Sequence, residues 1–176
     1  KIFISRKLNG SRCVYYKGKF YTRQGKEYIG LNHIKADIER VVNSNIVLDG
    51  ELIRKNIDDK SDSENFQIGV GIANSKANNK EELKLVVFDM MTTKEFERGY
   101  SDKTYYDRLC DILDLEYKCL TNCLGSLEVV EFLYNGYDHN EIWNCLDLAE
   151  QRDWEGIIIN LDTPYECKRT KNLIKV

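Results

Sequence analysis

The sequence predicts an α+β fold. Three observations carry that expectation. Apolar residues recur at helical spacing in some segments and form continuous β-branched and aromatic runs in others. The two kinds of segment are mixed without a repeating β-α-β period, which argues against a doubly wound parallel sheet. Finally, 176 residues that are 42% hydrophobic and 31% charged, with 1 Pro, have the composition of one packed domain rather than of a disordered or collagenous chain.

The elements follow in order. Cys13 to Tyr16 and Lys19 to Tyr21 are β-rich runs joined by Lys17-Gly18, and read as a hairpin. Leu31, Ile34, Ile38, Val41 and Val42 fall at helical spacing and predict an amphipathic helix from about Leu31 to Val42. Ile46 to Ile53 reads as a strand kinked or bulged at Gly50. The acidic stretch Asp58 to Glu64 reads as a loop, and Phe66 to Ala73 as a short helix weakened by Gly69 and Gly71. Leu83 to Met91 is continuous, β-branched and aromatic, hence a buried strand. Asp102 to Leu115 places Tyr105, Tyr106, Leu109, Ile112 and Leu113 on one helical face. Leu127 to Leu133 predicts a further strand, and Asn140 to Gln151 a helix with Ile142, Trp143, Leu146 and Ala149 inward. Glu155 to Asn160 is the last core strand, followed by a basic tail from Lys168 to Val176. No internal repeat or low-complexity linker divides the chain, so residues 1–176 read as a single domain.

Several classes of function are excluded by composition. The apolar runs, such as Leu85 to Phe88 and Ile157 to Ile159, are far shorter than the roughly 20 residues of a membrane helix. No cationic leader opens the chain, which begins at Lys1 without an initiator Met and reads as a fragment or processed piece. The cysteines, Cys13, Cys110, Cys119, Cys123, Cys145 and Cys167, are scattered through apolar patterns, which suits buried free thiols in an intracellular, reducing compartment better than a disulfide scaffold. Cys119 and Cys123 lack a second pair at zinc spacing, and His33 and His139 are isolated. A net charge of −3 does not suggest a generic nucleic-acid binder, although it says little about a local cleft.

The informative sites are charged groups set in otherwise apolar strands, because burying a charge is costly unless it is paired or used. Lys7 lies in Arg6-Lys7-Leu8-Asn9-Gly10-Ser11-Arg12, Glu51 in Leu48-Asp49-Gly50-Glu51-Leu52, Asp89 in Val87-Phe88-Asp89-Met90, and Glu155 in Trp154-Glu155-Gly156-Ile157. A site gathering these would combine cations with carboxylates, and phosphate with a divalent cation is its natural guest.

Taken in order with Leu173-Ile174-Lys175-Val176, these segments resemble the motifs of the covalent nucleotidyltransferases, specifically the ATP-dependent DNA ligases of small viral or phage type. The resemblance spans nearly the whole chain. It implies a nucleotidyltransferase fold of antiparallel sheets and flanking helices, with ATP and Mg²⁺ as cofactors. In that family the motif lysine, here Lys7, attacks the α-phosphorus of ATP, expels pyrophosphate and holds AMP as a phosphoramidate. AMP then passes to the 5′-phosphate of a DNA nick, and the 3′-hydroxyl displaces it. Attack needs a neutral amine, which partial burial and cationic neighbours favour, and Arg6, Arg12 and Lys175 are the expected neighbours. Arg12 and Arg23 match positions that contact nucleotide sugar or phosphate and later the 5′-phosphate, for which planar bidentate donors are suited. By the same resemblance, Glu51 accepts the ribose hydroxyls, Phe88 stacks on adenine, Ser5 lies near the adenine amino edge, and Lys175 grips the α-phosphate. Glu155 corresponds to the acid that helps place the metal. Asp49 is expected to tie down its turn, and Lys168, Arg169 and Lys171 to form a solvated basic face.

Two departures stand out. Asn9 occupies a position usually held by Asp, and the chain ends at the paired-lysine motif, so the oligonucleotide-binding (OB-fold) domain that follows in the family is expected to be absent. The expected partners are ATP and nicked double-stranded DNA, with no membrane and a monomeric state. The alternatives are an RNA ligase, an mRNA-capping guanylyltransferase, or a catalytically silent nucleic-acid-binding module.

Overall fold

The computed structural model describes residues 1–168 and 170–176, so Arg169 of the basic tail lies outside the described residues. As the sequence predicts, the fold is α+β. The larger sheet has six strands. Its order is β4 (Glu27–Tyr28), β3 (Lys19–Tyr21), β2 (Ser11–Tyr16), β5 (Ile46–Arg54), β6 (Leu83–Thr92) and β8 (Leu127–Val129). All its neighbours are antiparallel except β6 and β8. The smaller sheet has four antiparallel strands in the order β12 (Leu173–Lys175), β10 (Ile157–Leu161), β1 (Ile2–Arg6) and β9 (Phe132–Gly136). A two-stranded ribbon pairs β7 (Tyr100–Ser101) with β11 (Tyr165–Glu166).

Each sheet buries one face against helices. Cys13, Leu48, Leu52, Leu85 and Val87 of the large sheet pack with Ile34 and Ile38 of α1 (Asn32–Val41) and with Leu115 and Cys119 of α4 (Tyr105–Thr121). Ile2, Ile4, Ile157 and Ile159 of the small sheet pack with Cys145 and Ala149 of α5 (Glu141–Gln151). The opposite face of β1 carries Phe3, which packs on Tyr105 and Leu109. One helix, α4, therefore supports both sheets: its first turns lie under β1 and its last turns under the large sheet. Because side chains alternate along a strand, Ser5 and Ile158 point away from α5, on the side of the small sheet where Phe3 meets α4.

Other expectations need correction. The helix after the acidic loop, α2, starts at Asp62 rather than Phe66 and runs to Asn74. A capping box explains the early start: Ser61 Oγ accepts from Glu64 N and Glu64 accepts from Ser61 N. Gly69 is no defect, because a Cβ there would lie 3.3 Å from the backbone N of Arg54, and its absence lets α2 lie close on β5. Leu127 to Leu133 is not one strand but β8 and β9, which belong to different sheets. In α4, Tyr106 and Leu113 are exposed, as is Trp143 in α5. Nothing in the sequence pattern marked β1, β4, β7, β11, the short helix α3 (Thr93–Arg98) or β12, which lies in what reads as a basic tail. Cys13, Cys119 and Cys145 are buried as expected, whereas Cys110, Cys123 and Cys167 are exposed. No helix among the described residues is long and apolar enough to cross a membrane.

Candidate active site

The small sheet supplies one half of the site. Lys7 lies one residue beyond β1 rather than inside a strand, and Glu155 lies in the turn before β10. The Lys7 N–H donates to Gly156 O at 3.0 Å, and Lys7 Nζ meets Glu155 Oε1 at 2.7 Å. Gly156 has φ 145°, a conformation that L side chains rarely adopt, and a Cβ on it would collide with the carbonyl oxygen of Val176. That close approach is what docks the last strand. Ile157 N donates to Val176 O at 2.9 Å, and Val176 N to Ile157 O at 3.1 Å. Lys175 then faces Ile158, which faces Ser5 on its other side, so these three share one row across the sheet.

The large sheet supplies the other half. Arg12 on β2 is directly opposite Glu51 on β5, and its guanidinium grips Asp49 through Nε and Nη2. The register between β5 and β6 slips after Asp49: Asp49 pairs with Asp89, but Gly50 pairs with Val87. Phe88 is thus the extra, unpaired residue of a β-bulge. The sequence located the irregularity at Gly50, and the extra residue lies on the neighbouring strand. Phe88 is half-buried, with the Arg12 guanidinium 4.7 Å from its ring centroid.

Glu51 lies where the charges of the two halves meet. Burial pushes its carboxyl up to about 7; Arg12 and Lys175 oppose the shift, while Asp49 and Glu155 reinforce it. Its Oε2 is buried without a hydrogen-bond partner among the described residues. A buried acceptor left unpaired is costly, and a ligand hydroxyl would satisfy it. The loop from Lys7 back to β2 can lie against β5 because Gly10 has no side chain: a Cβ there would be 2.6 Å from Leu52 O.

The structure thus brings together Ser5, Lys7, Arg12, Glu51, Phe88, Glu155 and Lys175. Arg23 is not joined to them. It is exposed in the turn between β3 and β4, closed by Thr22 N donating to Lys26 O at 2.7 Å. The expected cationic ring around Lys7 is also revised, since the group in contact with its amine is a carboxylate. Arg6 turns instead to Asp62, at 2.8 Å, and stacks on Trp154, 4.8 Å from the ring centroid, while Arg12 is held by Asp49. Asp49 is therefore more than a turn anchor. Burial pushes the Asp62 carboxyl up, and Arg6 and Asn9, beside it at the start of α2, oppose the shift.

Sequence reasoning missed Arg108. It is 4% exposed on α4 and pairs through Nε with Asp89 at 2.8 Å. The signal was present, because Arg108 lies on the same helical face as Tyr105, Leu109, Ile112 and Leu115.

A family model described as an ATP dependent DNA ligase domain matches residues 1–176. The chain belongs to that family. Among solved structures, this ligase domain is similar to one described as Pmar-Lig_Pre, with 23% identity and a TM-score of 0.81 over 99% of this chain and 42% of that one. It is also similar to the ATP-dependent DNA ligase from bacteriophage T7, with 16% identity and a TM-score of 0.76, covering 99% of this chain and 61% of that one. The Chlorella virus DNA ligase-adenylate is similar at 16% identity and a TM-score of 0.65, covering 99% of this chain and 60% of that one. The chain thus spans about half the length of these structures and shares their fold over nearly all of its own. No curated protein matches the sequence.

Proposed function

We propose that this ligase domain activates itself with ATP at Lys7 and passes the adenylyl group to the 5′-phosphate of nicked double-stranded DNA. The observation that carries this reading is the Glu51 Oε2, buried without a partner among the described residues and set among Arg12 and Lys175 beside the Lys7–Glu155 pair. A ribose supplies the hydroxyl that Glu51 lacks, adenine stacks on Phe88 with Ser5 near its amino edge, and Arg12 and Lys175 face phosphate oxygens.

In the resting protein, Glu155 holds the Lys7 ammonium in place. Reaction requires Nζ to lose its proton, bond to the α-phosphorus and release pyrophosphate on the opposite side. Because the amine is already fixed at the end of β1, little orientational freedom remains to be lost at that step. In the second transfer the phosphoramidate bond breaks as a 5′-phosphate oxygen attacks; a 3′-hydroxyl then displaces AMP and seals the strand.

The carboxylates present fit Mg²⁺, which takes one or two protein carboxylates and completes its shell with water and phosphate oxygens. Glu155 would hold the ion, which would neutralise charge developing on the phosphates. Arg23 is exposed on its hairpin, and in this reading it meets DNA phosphate rather than nucleotide. The domain acts as a monomer in this reading.

The test is transfer of label from α-labelled ATP, beside GTP, to protein and then to nicked DNA or nicked RNA duplexes. Label from ATP that moves to DNA supports the reading. Label from GTP alone favours capping, preference for RNA favours an RNA ligase, and salt-sensitive DNA binding without any covalent nucleotide favours a silent module.

A further inference from the structure

Beneath Arg12 and Phe88 lies a pair of buried carboxylates that the reaction does not itself use. Asp49 and Asp89 face each other across β5 and β6, and both are buried, at 5% and 8% exposure. Two adjacent buried carboxylates repel, and each is matched by its own arginine: Asp49 by Arg12, Asp89 by Arg108.

The two arginines differ in freedom. The Arg12 side chain is 41% exposed. Arg108 is fixed. Its Nε donates to Asp89 at 2.8 Å and its Nη1 to the Lys103 carbonyl at 2.9 Å, and its guanidinium lies against the rings of Tyr105 and Tyr165 at 5.5 and 5.6 Å. Asp89 also accepts from Met90 N at 2.9 Å, beside the unpaired Phe88. The chain of contacts therefore runs from α4, through Asp89, to both the bulge and the Asp49 clamp.

We propose that Arg108 is a positioning residue for Arg12 and Phe88, acting through Asp89 and Asp49. The inference rests on the reading of those two residues as nucleotide contacts. While Arg108 neutralises Asp89, Asp49 keeps its negative charge and holds Arg12 over Phe88, ready to exchange the carboxylate for a phosphate. Without Arg108, the facing carboxylates share a proton, the clamp on Arg12 slackens, and the bulge loses its anchor.

The charged and titratable groups facing the pair are Arg12 and Cys13 from β2, Glu51 from β5, Arg108 and Tyr105 from α4, and Tyr165 from β11. Burial already pushes Asp49 up to about 6, with Arg12 opposing and Asp89 reinforcing the shift. Removing the Arg108 charge must raise the pair further, and removing Asp89 must lower Asp49.

The experiment compares wild type, Arg108→Met and the double variant Arg108→Met/Asp89→Leu. Adenylyl transfer to Lys7 and ATP binding by calorimetry are followed from about pH 5.5 to about pH 8.5, each as a ratio to wild type so that the titration of Glu51 cancels. The double variant is included because a lone buried carboxylate can unfold a protein, whereas removing both partners spares it. The single variant is expected to show a KM for ATP raised about tenfold and an acid limb moved up by about one pH unit. The double variant is expected to return the limb to the wild-type position or below, with the raised KM retained because the bulge anchor is gone. Loss of amplitude with no displacement of the limb in a folded single variant, a double variant whose limb lies above the wild-type position, or a double variant with wild-type KM overturns the proposal. If the single variant does not fold, the KM and limb of the double variant decide alone. Wild type that neither binds ATP nor labels at Lys7 overturns the underlying reading, and the proposal with it.

Discussion

Replacing Gly156 by alanine is expected to remove about 2–4 kcal/mol of stability and a larger share of activity. Two costs add. A side chain at φ 145° is strained by about 1–3 kcal/mol wherever its Cβ points. The new Cβ also meets the Val176 carbonyl, so the bond that this oxygen accepts from Ile157 N, 2.9 Å long, must stretch or break at about 1 kcal/mol. The loss does not reach the range of a large core truncation, because β12 can peel away: Leu173, Ile174 and Lys175 are all exposed. Peeling carries Lys175 off the row it shares with Ile158 and Ser5. Adenylyl transfer to Lys7 should therefore fall well below the folded fraction. Urea denaturation followed by circular dichroism gives the first quantity, and single-turnover labelling on fully folded protein gives the second. A variant within about 0.5 kcal/mol of wild type that labels at the wild-type rate would refute the idea that this turn positions the last strand.

Glu51→Gln tests the electrostatics. Because burial raises the Glu51 carboxyl from 4.5 to about 7, the folded protein binds a proton that the unfolded chain has released in that window, and stability falls as pH rises through it. The Gln variant should lack that slope and be about 1–2 kcal/mol more stable than wild type above neutrality, while binding ATP more weakly; identical pH profiles of the urea midpoint would contradict this. Ser61→Ala removes the capping box of α2 and should cost about 1 kcal/mol, measured by the same denaturation, with loosening of the Asp62 that holds Arg6. An unchanged midpoint would mean that the ion pair, not the cap, fixes the start of that helix.

What was legible in the sequence was local. The hairpin at Lys17-Gly18, the helix from Leu31, the irregular strand through Gly50 and the strand at Leu83 each announce themselves within a few residues, through turn chemistry or a single periodicity. Leu127 to Leu133 failed because a run of apolar residues does not reveal that the chain changes sheets: Val130 N still bonds to Val87 O of the large sheet, while Phe132 already pairs with Ser5. Tyr106, Leu113 and Trp143 failed because a helical stripe wider than its docking face leaves its margin in water. Lys7, Glu51, Asp89 and Glu155 were legible as charges in apolar surroundings, but their partners were not. Nothing local couples Lys7 to Glu155, or Asp89 to Arg108, since those contacts exist only once the sheets and α4 are packed.

The central claim is that Lys7 is the nucleophile of a self-adenylating domain, and intact-mass spectrometry after incubation with ATP and Mg²⁺ tests it most directly. The account predicts one adenylyl group per chain, acid-labile as a phosphoramidate must be, and absent from a folded Lys7→Ala control. An adduct that persists in Lys7→Ala would contradict it, as would wild-type protein that binds ATP tightly yet never gains the mass.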